Sequence, residues 1–208
     1  TYLVIHSGSR NIGKQVADFY QKLAERTCKA DVPRPLKYLI GKPMKDYLHD
    51  MKLCQQYACL NRKTMGEFIS RHFGIGGYVF QTIHNFIGED SIIRKGAVSA
   101  KKGERLIIPL NMRDGALICI GKGNPDWNFS APHGAGRILG RKDAMRSLNI
   151  EDFRRTMKHV FSTTIGRDTL DEAPMAYKPT EEIVAAIGDT VEIESHVKPI
   201  YNFKAGRE

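Results

Sequence analysis

Ser130-Ala131-Pro132-His133-Gly134-Ala135-Gly136-Arg137 sets one imidazole among residues too small to keep a bulky anion away from the backbone. A neutral histidine nitrogen can attack phosphorus, the glycines leave room for phosphate oxygens to meet backbone N–H groups, and Arg137 adds charge. The pattern suits a histidine nucleophile for nucleotidyl transfer. A Gly-rich turn carrying a structural histidine is the plainer reading of the same residues. Just upstream, Trp127 with Asn124-Pro125-Asp126 forms a polar approach to His133. Short apolar runs rich in β-branched residues at 78–83, 91–95, 105–109 and 116–120 predict strands separated by turns. Downstream, 138–158 predicts a helix, 181–187 another, and 190–199 a strand.

Towards the N-terminus, Thr1-Tyr2-Leu3-Val4-Ile5 predicts a strand that delivers an imidazole and a guanidinium to the turn His6-Ser7-Gly8-Ser9-Arg10. The 78–83 run repeats the arrangement, ending at His84-Asn85-Phe86 with Arg94-Lys95-Gly96-Ala97 shortly after. A strand-end histidine is either a hydrogen-bonded packing residue or a metal ligand, and both readings stay open for the pair. Ile12, Val16, Phe19, Tyr20 and Leu23 recur at helical spacing and predict a helix over 11–30, placing Ser9 and Arg10 at its N-terminus, where anions are favoured. Pro33, Pro35 and Pro43 mark a connector, and a second long helix is predicted over 46–73, stopped by Gly74, Gly76 and Gly77. The two helices read as an insertion at about 11–74, with His49 and His72 as surface or packing residues. The fold class is α+β: mixed sheets carrying the site, surrounded by helices, in one unit without internal repeats.

With 208 residues, 41% of them hydrophobic, the chain can build a sizeable core. It has no apolar run of the ~20 residues needed to cross a bilayer. Cys28, Cys54, Cys59 and Cys119 lack paired ligand spacing and read as thiols of a cytoplasmic protein. A formal charge of +9 favours a polyanionic partner. That support is weak, because Lys101-Lys102 and Arg154-Arg155 read as solvated surface charge and aromatics are not interleaved with the basic residues.

Taken in order, these segments resemble the RtcB family of RNA-splicing ligases. His6-Ser7-Gly8-Ser9-Arg10 and His84-Asn85 resemble its metal-ligand segments, Arg94-Lys95-Gly96-Ala97 its phosphate-contacting segment, and His133-Gly134-Ala135-Gly136-Arg137 its guanylylation motif. Asp171-Glu172-Ala173-Pro174-Met175-Ala176-Tyr177-Lys178 and Val197-Lys198-Pro199-Ile200-Tyr201-Asn202-Phe203-Lys204 follow in family order. The resemblance implies an RtcB-like fold, in part, with the chain as the C-terminal portion of one catalytic domain. It begins at Thr1 without an initiator Met and lacks the family's upstream Asp, Cys and His metal ligands. The implied activity is GTP- and Mn2+-dependent joining of RNA 3′-phosphate or 2′,3′-cyclic phosphate ends to 5′-hydroxyl ends, in RNA repair or splicing.

Within that resemblance His133 is the residue that carries GMP, and His6 and His84 bind metal. Asn85, Asn111, Ala135, Gly136, Arg137, Tyr177 and Lys204 contact the nucleotide, Ala135 and Gly136 through backbone and Tyr177 by stacking on guanine. Arg10, Lys95 and Arg141 hold RNA phosphates, with Arg141 two helical turns beyond His133 on the same side of one helix. The chain departs from the family at Ile108-Pro109-Leu110-Asn111-Met112-Arg113-Asp114-Gly115, where members carry a Gly-Ser-Met-Gly segment, and at Gly140-Arg141, where they carry Ser-Arg. Two other classes stay open: a metal-dependent RNA phosphodiesterase, which forms no histidine-linked GMP, and a noncatalytic RNA-binding fragment, which needs neither metal nor GTP.

Overall fold

Val16, Tyr20, Leu23 and Ala24 recur every three or four residues, and α1 (Arg10–Thr27) turns Tyr20 and Ala24 inward. The Tyr20 ring lies 5.2 Å from that of Tyr47, and its hydroxyl donates to Asp50 at 2.7 Å, both on α2 (Gly41–Phe73). This helix begins ahead of the predicted start because Pro43 sits in its first turn, where a missing N–H breaks no intrahelical bond. Gly74 ends it in the left-handed conformation. The computed structural model describes residues 1–205, and the two helices belong to a first unit, Thr1–Val79, separate from a second that begins at Phe80.

No strand forms at 1–5. The first unit holds no partner strand among its described residues, so the run stays extended, and Tyr2, Leu3 and Val4 are exposed. The turn that follows is held on α2 by Arg62, which donates to the Ser7 carbonyl at 2.8 Å, and by Asn61, which donates to the Ser7 hydroxyl at 3.2 Å.

In the second unit, β1 (His84–Ile87), β2 (Ile93–Ser99) and β5 (Ser130–Pro132) form one antiparallel sheet in the order β1-β2-β5. The strands β3 (Arg105–Pro109), β4 (Ala116–Gly121) and β6 (Val191–Val197) form another, in the order β3-β4-β6. The strand expected at 78–83 is absent: Tyr78 and Val79 are exposed, and Thr82 accepts the Ile107 N–H of β3 through its side chain at 3.0 Å. His84 therefore opens a strand instead of closing one.

The helix predicted over 138–158 is two, α3 (Arg141–Ser147) and α4 (Ile150–Thr156). Asn149 divides them by accepting the Glu151 N–H at 2.7 Å and capping the second. The helix also starts late, because the N–H groups of Ile138 and Leu139 go to the Ala176 carbonyl. The last helix, α5 (Thr180–Ala186), precedes β6.

Val98, Leu106, Ile108, Leu117, Cys119 and Ala131 join both sheets in one core cluster with Ile187. A second cluster gathers Phe153, Met157, Val160, Leu170 and Ala173. The β3–β4 turn needs Gly115: its φ is +79°, and a Cβ there would stand 2.0 Å from the Val197 carbonyl oxygen. No disulfide forms among the described residues, and Cys119 is buried. No helix among the described residues is long and apolar enough to cross a membrane.

Phe153 is fully buried, and its cluster includes Leu170 and Ala173, the residues on either side of Asp171-Glu172. Phe153→Ala should destabilise the chain by about 3–5 kcal/mol. Urea unfolding measures this; a loss below about 1 kcal/mol would mean that the cluster closes around the gap.

Candidate active site

His133 enters the site from the end of β5, where its backbone N–H donates to the Gly96 carbonyl of β2 at 3.2 Å. The His84 ring, from the start of β1, lies beside it with 4.9 Å between ring centroids. Gly96 takes a backbone bend that favours glycine, with φ +71°, while a Cβ there would meet the His133 ring only at ordinary contact distance, 3.7 Å. Asn85, itself left-handed, accepts the Gly96 N–H through its side chain at 3.1 Å and fixes the bend. Burial, then the neighbouring His84 and the Lys95 charge, holds the His133 imidazole below the ordinary histidine range. The ring is therefore neutral, with its nucleophilic lone pair, at neutral pH. His84, Asn85, Lys95 and His133, read from separate segments of sequence, are one constellation.

The Gly-rich stretch is stitched down along its length. Ala135 donates its N–H to the Pro109 carbonyl at 3.0 Å and is almost wholly buried. Contrary to the expected phosphate contact, that N–H is committed to the end of β3. The Gly136 carbonyl accepts from Lys178, Arg137 bridges to Tyr177, and Ile138 and Leu139 both donate to Ala176. Among the described residues, the bonds above leave the backbone N–H groups of Gly134, Gly136 and Arg137 for an anion.

A second constellation forms around Asp171 and Glu172, which sequence reasoning quoted but gave no role. Arg141 reaches Asp171 at 2.9 Å and Glu172 at 2.7 Å, and Lys204 reaches Glu172 at 3.1 Å. The Tyr177 hydroxyl donates to Glu172 at 2.5 Å and accepts from Arg137 at 3.0 Å, while another Arg137 nitrogen donates to the Asp171 carbonyl. Residues 133–140 form no helix, so Arg141 does not stand two turns above His133; it begins α3 and faces two carboxylates. The Arg137 guanidinium lies 4.8 Å from the Tyr177 ring centroid, and that ring packs on the core, so a base stacks on Tyr177 only once Arg137 moves. A signal is present in the sequence: Arg137, Arg141 and Lys204 all read as nucleotide or RNA contacts, with no carboxylate to balance them.

Asn111 belongs to the β3–β4 turn. Its side chain accepts the Arg113 and Asp114 N–H groups and donates to the Asp114 carboxylate at 2.8 Å, a turn-holding role. His6 and Arg10 are exposed in the first unit, on the turn that opens α1, with Arg10 in the left-handed conformation. Among the described residues, no group of three His, Cys, Asp or Glu side chains could hold a metal ion.

Burial pushes the Glu172 carboxyl up, but the Tyr177 hydrogen bond, Lys204 and Arg141 outweigh it, and the group lies below the usual carboxylate range. A depressed folded value stabilises the fold above the unfolded value of about 4.3, and that contribution disappears as pH falls through the folded value. Glu172→Gln should flatten the loss of thermal stability between about pH 4.5 and the acid limit, measured by melting across pH; an unchanged acid limb would remove Glu172 from the balance.

The family model described as tRNA-splicing ligase RtcB matches residues 1–205. The chain is 32% identical to "RNA-splicing ligase RtcB1" of Escherichia coli (strain ATCC 25922), over 92% of its own length and 53% of that protein's. It is 29% identical to "tRNA-splicing ligase RtcB" of Nanoarchaeum equitans, over 88% of its length and 47% of the relative's. It thus spans about half the length of the curated relatives it matches. With the family match running through both units, the ordered motifs and the paired histidines belong to one inheritance: the chain is a member of the RtcB family.

Proposed function

We propose that this chain carries the nucleophile and part of the substrate-holding surface of a GTP-dependent RNA ligase that acts in the cytoplasm. The carrying observation is His133: a half-buried, neutral imidazole beside Lys95 and the His84 ring, next to the left-handed Gly96. An imidazole nitrogen attacks the α-phosphorus of GTP, the phosphorus–nitrogen bond forms, and pyrophosphate leaves. GMP then passes to the terminal phosphate of an RNA 3′ end, and a 5′-hydroxyl displaces it as the new phosphodiester forms; a 2′,3′-cyclic phosphate is opened first. Lys95 offsets phosphate charge at the histidine, and Gly134 and Gly136 supply backbone donors. The base is assigned to the Tyr177–Glu172–Lys204 cluster, where it replaces Arg137 over the ring; Asn85 supports the site by holding Gly96.

Manganese, the metal this reading calls for, fits the described residues poorly. Among the described residues no group of three His, Cys, Asp or Glu side chains gathers at His84, His133 or His6, and His133 is needed as nucleophile.

His133→Ala should abolish a covalent GMP adduct formed from GTP labelled at the α-phosphate, with melting temperature within a few degrees of the parent. The adduct is expected to be acid-labile, as a phosphoramidate is. An adduct of full yield in the variant, or one mapped to Lys95 or Lys204, overturns the assignment. RNA cleavage without any adduct would favour the phosphodiesterase.

Arg10 and Lys95 are exposed, whereas Arg141 is balanced by two carboxylates. Replacing Arg10 and Lys95 together by Ala should flatten the plot of log K against log salt for single-stranded RNA by about 1.4, at ~0.7 per phosphate neutralised. Adding Arg141→Ala should change the slope less than either. A salt titration in which Arg141→Ala alone removes a full ~0.7 would restore it as a direct phosphate contact.

A further inference from the structure

A cavity of about 320 Å³ opens beside the His133 constellation, lined among others by Ile93, Lys95, Gly96, Trp127, Ala186 and Thr190. Gly96 belongs both to its wall and to the contact with His133, so the cavity adjoins the nucleophile across a single residue. Trp127, the chain's one tryptophan, is 53% exposed, and Ile93 beside it is 73% exposed. An indole that open to water, in a cavity that also holds a lysine, is not explained by packing.

The loop bearing Trp127 is held in place from both sides. Asn124 accepts the Asp126 N–H at 3.0 Å and donates to the Asp189 carbonyl at 3.1 Å, while its own carbonyl accepts from Phe129 at 3.0 Å. Ala100 in turn donates to Phe129 at 2.8 Å. Asn128 and Phe129 both take left-handed conformations to complete the turn. An exposed indole on an anchored loop, lining one cavity with a lysine, is an arrangement that receives an unstacked base and its phosphate: every base has a π-face, and the lysine meets the charge.

We infer that this cavity is a subsite for one nucleotide of single-stranded RNA, whose base stacks on Trp127 while its phosphate meets Lys95, next to the end being joined at His133. The inference rests on the reading of the chain as an RNA ligase and extends it to a residue that the motifs do not include. Charge complementarity favours this occupant, since the chain carries a formal +9 and Lys95 faces the cavity.

Because there is a single tryptophan, intrinsic fluorescence reports on this cavity alone. Titrating the chain with a short single-stranded oligouridylate should quench the emission, and an oligonucleotide with an abasic residue at the stacked position should bind about ten- to a hundredfold more weakly without that quenching. By anisotropy of labelled RNA, Trp127→Ala should weaken binding by a similar factor, whereas Trp127→Phe, which keeps an aromatic face, should retain most of it. RNA binding with unchanged emission, or equal affinity for the abasic strand, overturns the subsite. So does quenching by GTP but not by RNA, which would give the cavity to the nucleotide substrate. Adduct formation on His133 is scored separately: an adduct with no RNA quenching defeats the subsite and leaves the ligase reading intact, and quenching without an adduct does the reverse.

Discussion

The backbone bonds on either side of Gly134 are the constraint on which the second unit's site depends. His133 donates to Gly96 in one sheet, and Ala135 donates to Pro109 at the edge of the other. Three consecutive residues thereby tie two separate antiparallel ladders together, and the imidazole is placed where the tie is made. A Cβ at Gly134 would stand 3.0 Å from the Pro109 carbonyl oxygen, so the glycine serves a close backbone approach as much as any anion. Rigidity of this kind suits a nucleophile, because a phosphorus centre must be met at a defined distance and direction.

The next residues along the same stretch connect that tie to the charged cluster. Gly136, Ile138 and Leu139 bond to the 176–178 segment, which brings Arg137 over Tyr177 and against Glu172. Asp171 and Glu172 are both buried, and buried carboxylates persist as anions only with close partners. Arg137, Arg141 and Lys204 supply three positive charges to two negative ones. The two buried carboxylates therefore keep close partners, and the cluster carries one positive charge in excess.

Stability and recognition are coupled here through Phe153. Its cluster anchors Leu170 and Ala173, and the carboxylates lie between those two anchors. Loss of packing at that distance from any ligand would loosen the acceptors that position Arg141 and Tyr177. The tryptophan loop is built on the opposite logic: its hydrogen bonds fix the backbone and leave the indole in water.

Ordered motifs in the sequence were enough to place the family, the α+β class, both long helices and β3, β4 and β6, because helical spacing and β-branched runs are local signals and several motifs in order are specific. They also singled out His84, Lys95 and His133, which the fold brings together. Partnership is not local, and there tertiary structure decided. Residues 1–5 have strand composition but no strand to pair with in their unit, and 78–83 lost their edge to a threonine side chain. Ala135 looks free in sequence and is committed in space; Asn111 looks like a nucleotide contact and closes a turn. Asp171 and Glu172 read as ordinary acidic residues, since nothing in a linear motif tells which cations will fold onto them. A hydrogen bond or an ion pair needs both of its ends, and the sequence lists the ends without saying which of them meet.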